Sequence, residues 1–293
     1  MNLTRWISTV CILLILPVSA LSTGKAFRDL NTNLFEEIKK GHTLEAIALL
    51  DQGANLEARD RFGNTPLLLA ARTSRSKLVK KLIERGAEIN HQNLIGSTAI
   101  LRAATENRRK NVKLLIKAGA EVNLGNKKGI TPLAAAAFNG NNKTFQLLLD
   151  QGANPDVMDN TQKTAILYAA AKGFLKIVRS LLDAGIDVNR RYGNDLTVLM
   201  WAAGYSNDVP PGDAIKVVNL LIEQGAMLDL LDNREWSAMM TAANMGHSEV
   251  IEVLIKAGAD IHIRSGDGKT AASLARASGH LESLSLLNAS GAN

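Results

Sequence analysis

Aliphatic residues recur along this chain in short bursts at helical spacing, and the same polar signal closes each burst. Val79, Leu82 and Ile83, then Val112, Leu115 and Ile116, then Val250, Leu254 and Ile255 each mark one face of a helix. Gly-Ala follows such runs at Gly53, Gly86, Gly119, Gly152, Gly225 and Gly258, with Gly185-Ile186 as a variant and Gly291-Ala292 at the far end. Successive glycines stand 33 residues apart, except for one interval of 40. A glycine at that place predicts a helix end with positive φ. A second signal shares the period: Thr65, Thr98, Thr131, Thr164, Thr197, Ser237 and Thr270, each followed five residues later by an alanine. The hydroxyl predicts a helix N-cap, and Pro66 and Pro132 occupy the first helical position, where proline costs least. The alanines are small enough for stacked helices to approach closely. Asp60, Asn93, Asn126, Asp159 and Asp232 predict a turn into the next unit. Each unit therefore reads as helix, short turn, helix, extended turn, and a fixed period of this length marks a linear stack.

That order resembles the ankyrin repeat. The resemblance rests on segments such as DRFGNTPLLLAA (Asp60–Ala71), KGITPLAAAAFNG (Lys128–Gly140) and NMGHSEVIEVLIKAGAD (Asn244–Asp260), and it covers about residues 28–293. It implies an all-α ankyrin-repeat solenoid, with units at about 28–60, 61–93, 94–126, 127–159, 160–192, 193–232, 233–265 and 266–293. One departure matters. The family's usual histidine, two places after the proline position, is here Leu68, Leu101, Ala134, Leu167, Met200, Met240 or Ser273. This predicts the loss of a polar inter-unit network and greater reliance on apolar contact. Asn33 with Glu36 predicts a capping box opening a first helix that runs through Lys39, with a partner helix from about Thr43 to Gln52. Serines from Ser273 to Ser290 polarise the last unit, so the two end units read as caps of one complete array.

The first residues follow another pattern. Arg5 precedes an apolar run from Trp6 to Val18, followed by Ser19-Ala20, the marks of a secretory signal peptide. Cleavage is expected after Ala20, with Ala26 as the second candidate, leaving 21–293 as a single periplasmic or secreted domain. Only if uncleaved would the segment anchor the protein to a membrane, and it is short for a span. Cys11 is the only cysteine, and Val10 before it is too bulky for a lipidation motif. The mature chain is then without disulfides or thiol chemistry.

Charge is unevenly spread. Residues 75–128 carry thirteen Lys/Arg against four acids, whereas residues 193–293 carry six against twelve. Such end-to-end polarity can steer an oppositely charged partner. Nucleic acid is not expected as a partner outside the cytoplasm. No pair among the five histidines has zinc-ligand spacing or a catalytic companion, so neither metal nor cofactor is expected. His42, His247 and His280 sit in inter-helix turns, where a structural role is expected. SGDGKT (Ser265–Thr270) fails as a phosphate loop because Ile263 stands where the leading glycine is required.

Two features point to a binding surface. The long interval falls in GYSNDVPPGDA (Gly204–Ala214), read as a loop inserted between the two helices of the sixth unit and outside the phased pattern. All three tyrosines and two tryptophans lie between residues 168 and 236. Tyr168 and Trp201 share one place in the first helices of adjacent units, and Tyr205 falls in the insertion. Trp236 is read as an exposed turn tip; Phe62, Ile95 and Lys128 mark another tip position, beside Lys127. Phe138 and Met245 fall near first-helix ends. In ankyrin-like proteins tips and first helices line the concave face, and Tyr and Trp are frequent hot spots. Tyr192 and Trp201 also suit packing between units. The expectation is a non-enzymatic, exported, monomeric scaffold that binds a protein partner on that face, as a periplasmic helper in stress protection. An immunity protein against a delivered toxin is the alternative; an enzyme with an unrecognised site is a weaker one.

Overall fold

The computed structural model describes residues 18–292, with side chains from residue 29 onward. Most of the segment read as a signal peptide, including Arg5 and Cys11, lies outside the described residues. Among the described residues sixteen α-helices form pairs, and no strand occurs. The first helices of successive units are α1 (Val18–Lys40), α3 (Pro66–Ala71), α5 (Ala99–Thr105), α7 (Pro132–Phe138), α9 (Ala165–Ala171), α11 (Val198–Ala203), α13 (Ala238–Met245) and α15 (Ala271–Ala277). The second helices are α2 (Thr43–Asp51), α4 (Ser76–Glu84), α6 (Arg109–Lys117), α8 (Asn142–Asp150), α10 (Leu175–Asp183), α12 (Pro211–Glu223), α14 (Ser248–Lys256) and α16 (Leu281–Ala289). First helices pack on first helices of neighbouring units, and second on second, giving two parallel layers.

Local chemistry explains the repeat. Side-chain oxygens of Thr65, Thr98, Thr131, Thr197, Ser237 and Thr270 each accept the N–H three residues ahead. The glycines closing the second helices all have φ between 80° and 98°. Between units the chain makes an extended tip held by one polar side chain. Asp60 Oδ1 accepts from the backbones of Phe62 and Asn64, and Asn93, Asn126, Asp159 and Asp232 repeat the pattern. Between the fifth and sixth units Tyr192 takes that place and cannot accept those bonds. The tip instead forms a turn over Gly193–Asp195, with Asn194 and Asp195 at φ 61° and 59°. Thr164, the one hydroxyl without a cap bond, is buried beneath this altered tip with Tyr192.

Three expectations need correction. Asn33 is no N-cap: α1 passes through it, because Leu30, Leu34 and Ile38 continue one apolar stripe at four-residue spacing. The inter-unit polar network is present but displaced to the turn between helices. Asn111 Nδ2 donates to the Ala71 and Thr73 carbonyls, Asn141 Nδ2 to those of Ala104 and Thr105, and His247 Nδ1 lies 2.8 Å from Ala203 O. Asn90, Asn123 and Asn189 add bonds between neighbouring units at the far end of the second helices. Finally, the insertion is no free loop. Much of it lengthens α12 to 13 residues against 9 in α10, and the rest packs on the stack. Tyr205 and Val209 are buried, Ser206 N–H bonds to Ala171 O, and Lys172 pairs with Asp208.

Candidate partner-binding face

Tips and first helices share one side of the stack, the side that becomes concave in a curved solenoid. Backbone bonds tie the tips into a continuous rim: Leu94 N–H to Phe62 O, Lys127 N–H to Ile95 O, and Asn160 N–H to Lys128 O. This explains how short tips without strands hold exposed side chains in register. Phe62, Ile95, Lys127 and Lys128 are all exposed along this rim.

Beneath the rim lies a groove of about 370 Å³ that brings Ile95, Phe138 and Tyr168 together with Leu101, Ile130 and Ala134. Phe138, the last residue of α7, meets Tyr168 edge-on with ring centroids 5.4 Å apart. Lys163 stands over the next stretch, its Nζ 5.9 Å from the Tyr168 ring and 5.0 Å from the Trp201 ring. Tyr168 donates its phenolic proton to Asp159 Oδ2. Burial and this anionic acceptor push the phenol up to about 12, so Tyr168 stays neutral at any physiological pH. Burial pushes Asp159 up, but bonds from Tyr168, Thr161 and the tip backbone hold it below the ordinary carboxylate range. Arg102 lines the same groove half-buried, without an ion pair among the described residues. Burial, then the neighbouring Arg72 charge, lower its pKa. A partly desolvated guanidinium beside exposed apolar rings suits a partner surface that carries both a carboxylate and an apolar side chain.

The remaining residues divide. Phe62 lies in a separate groove with Phe35, Leu69 and Arg72, and Arg61 covers its ring at 4.7 Å. Met245 ends α13 and is exposed. Trp236 is not the open tip residue the sequence suggested. It is half-buried against the core with Arg234 stacked 4.1 Å from its ring centroid, while Arg234 itself is tied to Asp232. Trp201 is likewise half-buried, its indole N–H enclosed without an acceptor. Tyr205 is excluded from the face: it is 4 % exposed and stacks on His247 with centroids 3.7 Å apart. Sequence reasoning missed Arg102, Leu94 and the bridging role of Lys163. An apolar Leu94 beside Ile95 in a polar tip was a readable signal; the position of Arg102 in the groove was not.

Among the described residues no three His, Cys, Asp or Glu side chains converge on a metal-sized site. A family model for ankyrin repeats matches residues 9–93, 34–126, 100–192 and 199–293. A segment of 56 residues is 46 % identical to an ankyrin repeat-containing protein of Treponema pallidum (strain Nichols), covering 19 % of each chain. The chain thus spans about a fifth of that relative's length in the matched region. Matches along nearly the whole chain, joined to paired helices, hydroxyl caps and glycine-closed units, place this protein in the ankyrin-repeat family.

Proposed function

We propose that this chain is an exported, monomeric, non-enzymatic scaffold that holds a protein partner against its tip-and-first-helix face. The carrying observation is the groove where Ile95 and Phe138, exposed at 56 % and 47 %, meet Tyr168 and Arg102. Large apolar side chains grouped on a rigid surface mark interaction sites rather than scattered exposure. Ankyrin repeats generally serve as non-enzymatic protein-binding scaffolds, which supports the same reading. Export rests on the Arg5–Ala20 pattern, and the helper role in an oxidising compartment on a mature chain without cysteine.

A photo-crosslinking residue placed at Phe138 in cells should capture one discrete protein, whereas the same residue at Lys256 on α14 should not. Phe138→Ala with Tyr168→Ala should weaken that complex by at least about 2 kcal/mol. Equal capture from both positions would reject this face. The recovered protein should begin near Leu21, and full-length chain in the membrane fraction would reject export by cleavage.

A further inference from the structure

On the opposite side, the second-helix layer of the third to fifth units carries a groove of about 1260 Å³. Six cations line it, Arg108, Arg109, Lys110, Lys143, Lys176 and Arg179, and no carboxylate does. None of the six belongs to an ion pair among the described residues, although Lys172, Arg190, Lys216 and Lys256 each do. Arg108 is fixed over the turn by its Nε bond to Arg72 O, so it does not fold away.

The repeat builds this charge in register. Lys110, Lys143 and Lys176 occupy one phase of α6, α8 and α10, and Lys77 holds the same place on α4. In the last two units that place becomes Glu249 and Glu282. The nine-residue helices α6, α8 and α10 also open here, and none has a side-chain cap. The positive ends of these helix dipoles add to the side-chain charge, although the N–H groups of Asn142, Thr144, Leu175 and Ile177 already donate to nearby backbone carbonyls. The floor is apolar: Leu175 is its half-buried residue, while Phe145 and Ile177 line it at only 1 % exposure each.

We propose that this groove binds an extended acidic segment of a partner protein, carboxylates against the lysine ladder and aliphatic side chains against the floor. Packed helices lie about 8–10 Å apart, and a segment in the polyproline II conformation advances about 3.1 Å per residue with about three residues per turn, so every third side chain faces one side. One acidic residue in every three therefore meets one lysine per unit. A nucleic-acid duplex presents phosphates to such a groove and keeps its bases stacked inside, leaving Leu175 without an apolar partner. A flat bilayer surface does not enter a recess. The surface is distinct from the tip-and-first-helix face, and the proposal stands whether or not that face binds a partner.

The test uses the purified chain and a fluorescein-labelled peptide of Glu-Leu-Ser repeated three times, followed by fluorescence anisotropy. Binding should fall at least about tenfold when glutamine replaces the glutamates, and again with Lys110→Glu/Lys143→Glu/Lys176→Glu. Lys80→Glu/Lys117→Glu/Lys256→Glu makes the same change in net charge outside the groove and should retain binding. Far-UV circular dichroism checks that both variants keep their helices. Equal loss in the two triple variants would reduce the effect to net charge and overturn the groove. Absence of peptide binding would overturn it as well. Groove-dependent binding to phosphatidylglycerol vesicles without peptide binding would replace the acidic segment with a lipid surface. Self-association in sedimentation velocity that Lys143→Glu abolishes would replace it with a second copy.

Discussion

Tyr205→Ala tests whether the sixth-unit insertion belongs to the core. The ring is 4 % exposed and lies flat on His247, at an interplanar angle of 18°. Truncating a buried aromatic side chain costs about 3–5 kcal/mol, of which an aromatic pair supplies about 0.5–1.5 kcal/mol. Contacts in a solenoid reach only neighbouring units, so nothing distant offsets the loss. The expected result is a fall of about 3–5 kcal/mol in urea unfolding at pH 7.5, followed by circular dichroism. A second readout follows from His247. Burial holds its pKa below the ordinary 6.5, outweighing the opposing Ala203 carbonyl and Glu249. The unfolded chain therefore takes up a proton more readily as pH falls through 6.5. This part of the stability is complete above that value and is lost as pH drops towards the folded-state value. The depressed carboxylates Asp159 and Asp267 lose their contributions only in more acidic solution, which keeps the windows apart. Removing the Tyr205 ring hydrates the imidazole, so the variant should be less stable and also less acid-sensitive between about pH 7.5 and 5.5. A cost below about 1 kcal/mol would show a dispensable insertion, as its position outside the repeat phase suggested.

Gly173→Ala should destabilise more than Gly86→Ala by thermal unfolding. Both glycines have positive φ and share the alanine penalty of about 1–2 kcal/mol, but a Cβ at Gly173 would lie 2.9 Å from Val209 Cγ1, while one at Gly86 meets nothing within 4 Å. Equal losses would mean that Val209 yields freely. Asn111→Ala should cost about 1–3 kcal/mol by stranding the Ala71 and Thr73 carbonyls, a loss that urea titration measures and that Asn90→Ala at an exposed junction should not match. Leu115→Ala, at a fully buried position of α6, should cost about 2–5 kcal/mol in the same assay.

The sequence by itself determined the repeat. Hydroxyl, alanine and glycine recur in phase because each satisfies a local backbone demand: an orphan N–H, a close helix approach, a positive φ. Such demands are met within a few residues, so they are visible along the chain. That is why Thr65, Ala70 and Gly86 were legible, as were exposed Phe62, Ile95, Phe138 and Met245 at tips and helix ends. Only tertiary structure decided which aromatics face solvent. Tyr205 turns inward because His247, 42 positions further on, offers it a flat partner, and Trp236 lies under Arg234 because Asp232 holds that guanidinium in place. The charges followed the same division. Counting along the chain located the basic half, but Lys127 and Lys128 stand on the tip rim. The unpaired cations Lys143 and Lys176 gather with Lys110 on the opposite layer only when the units stack. A period of 33 residues brings side chains that are distant in sequence onto adjacent helices. Whether such neighbours meet a ring, a carboxylate or water depends on packing between units, which no single repeat encodes.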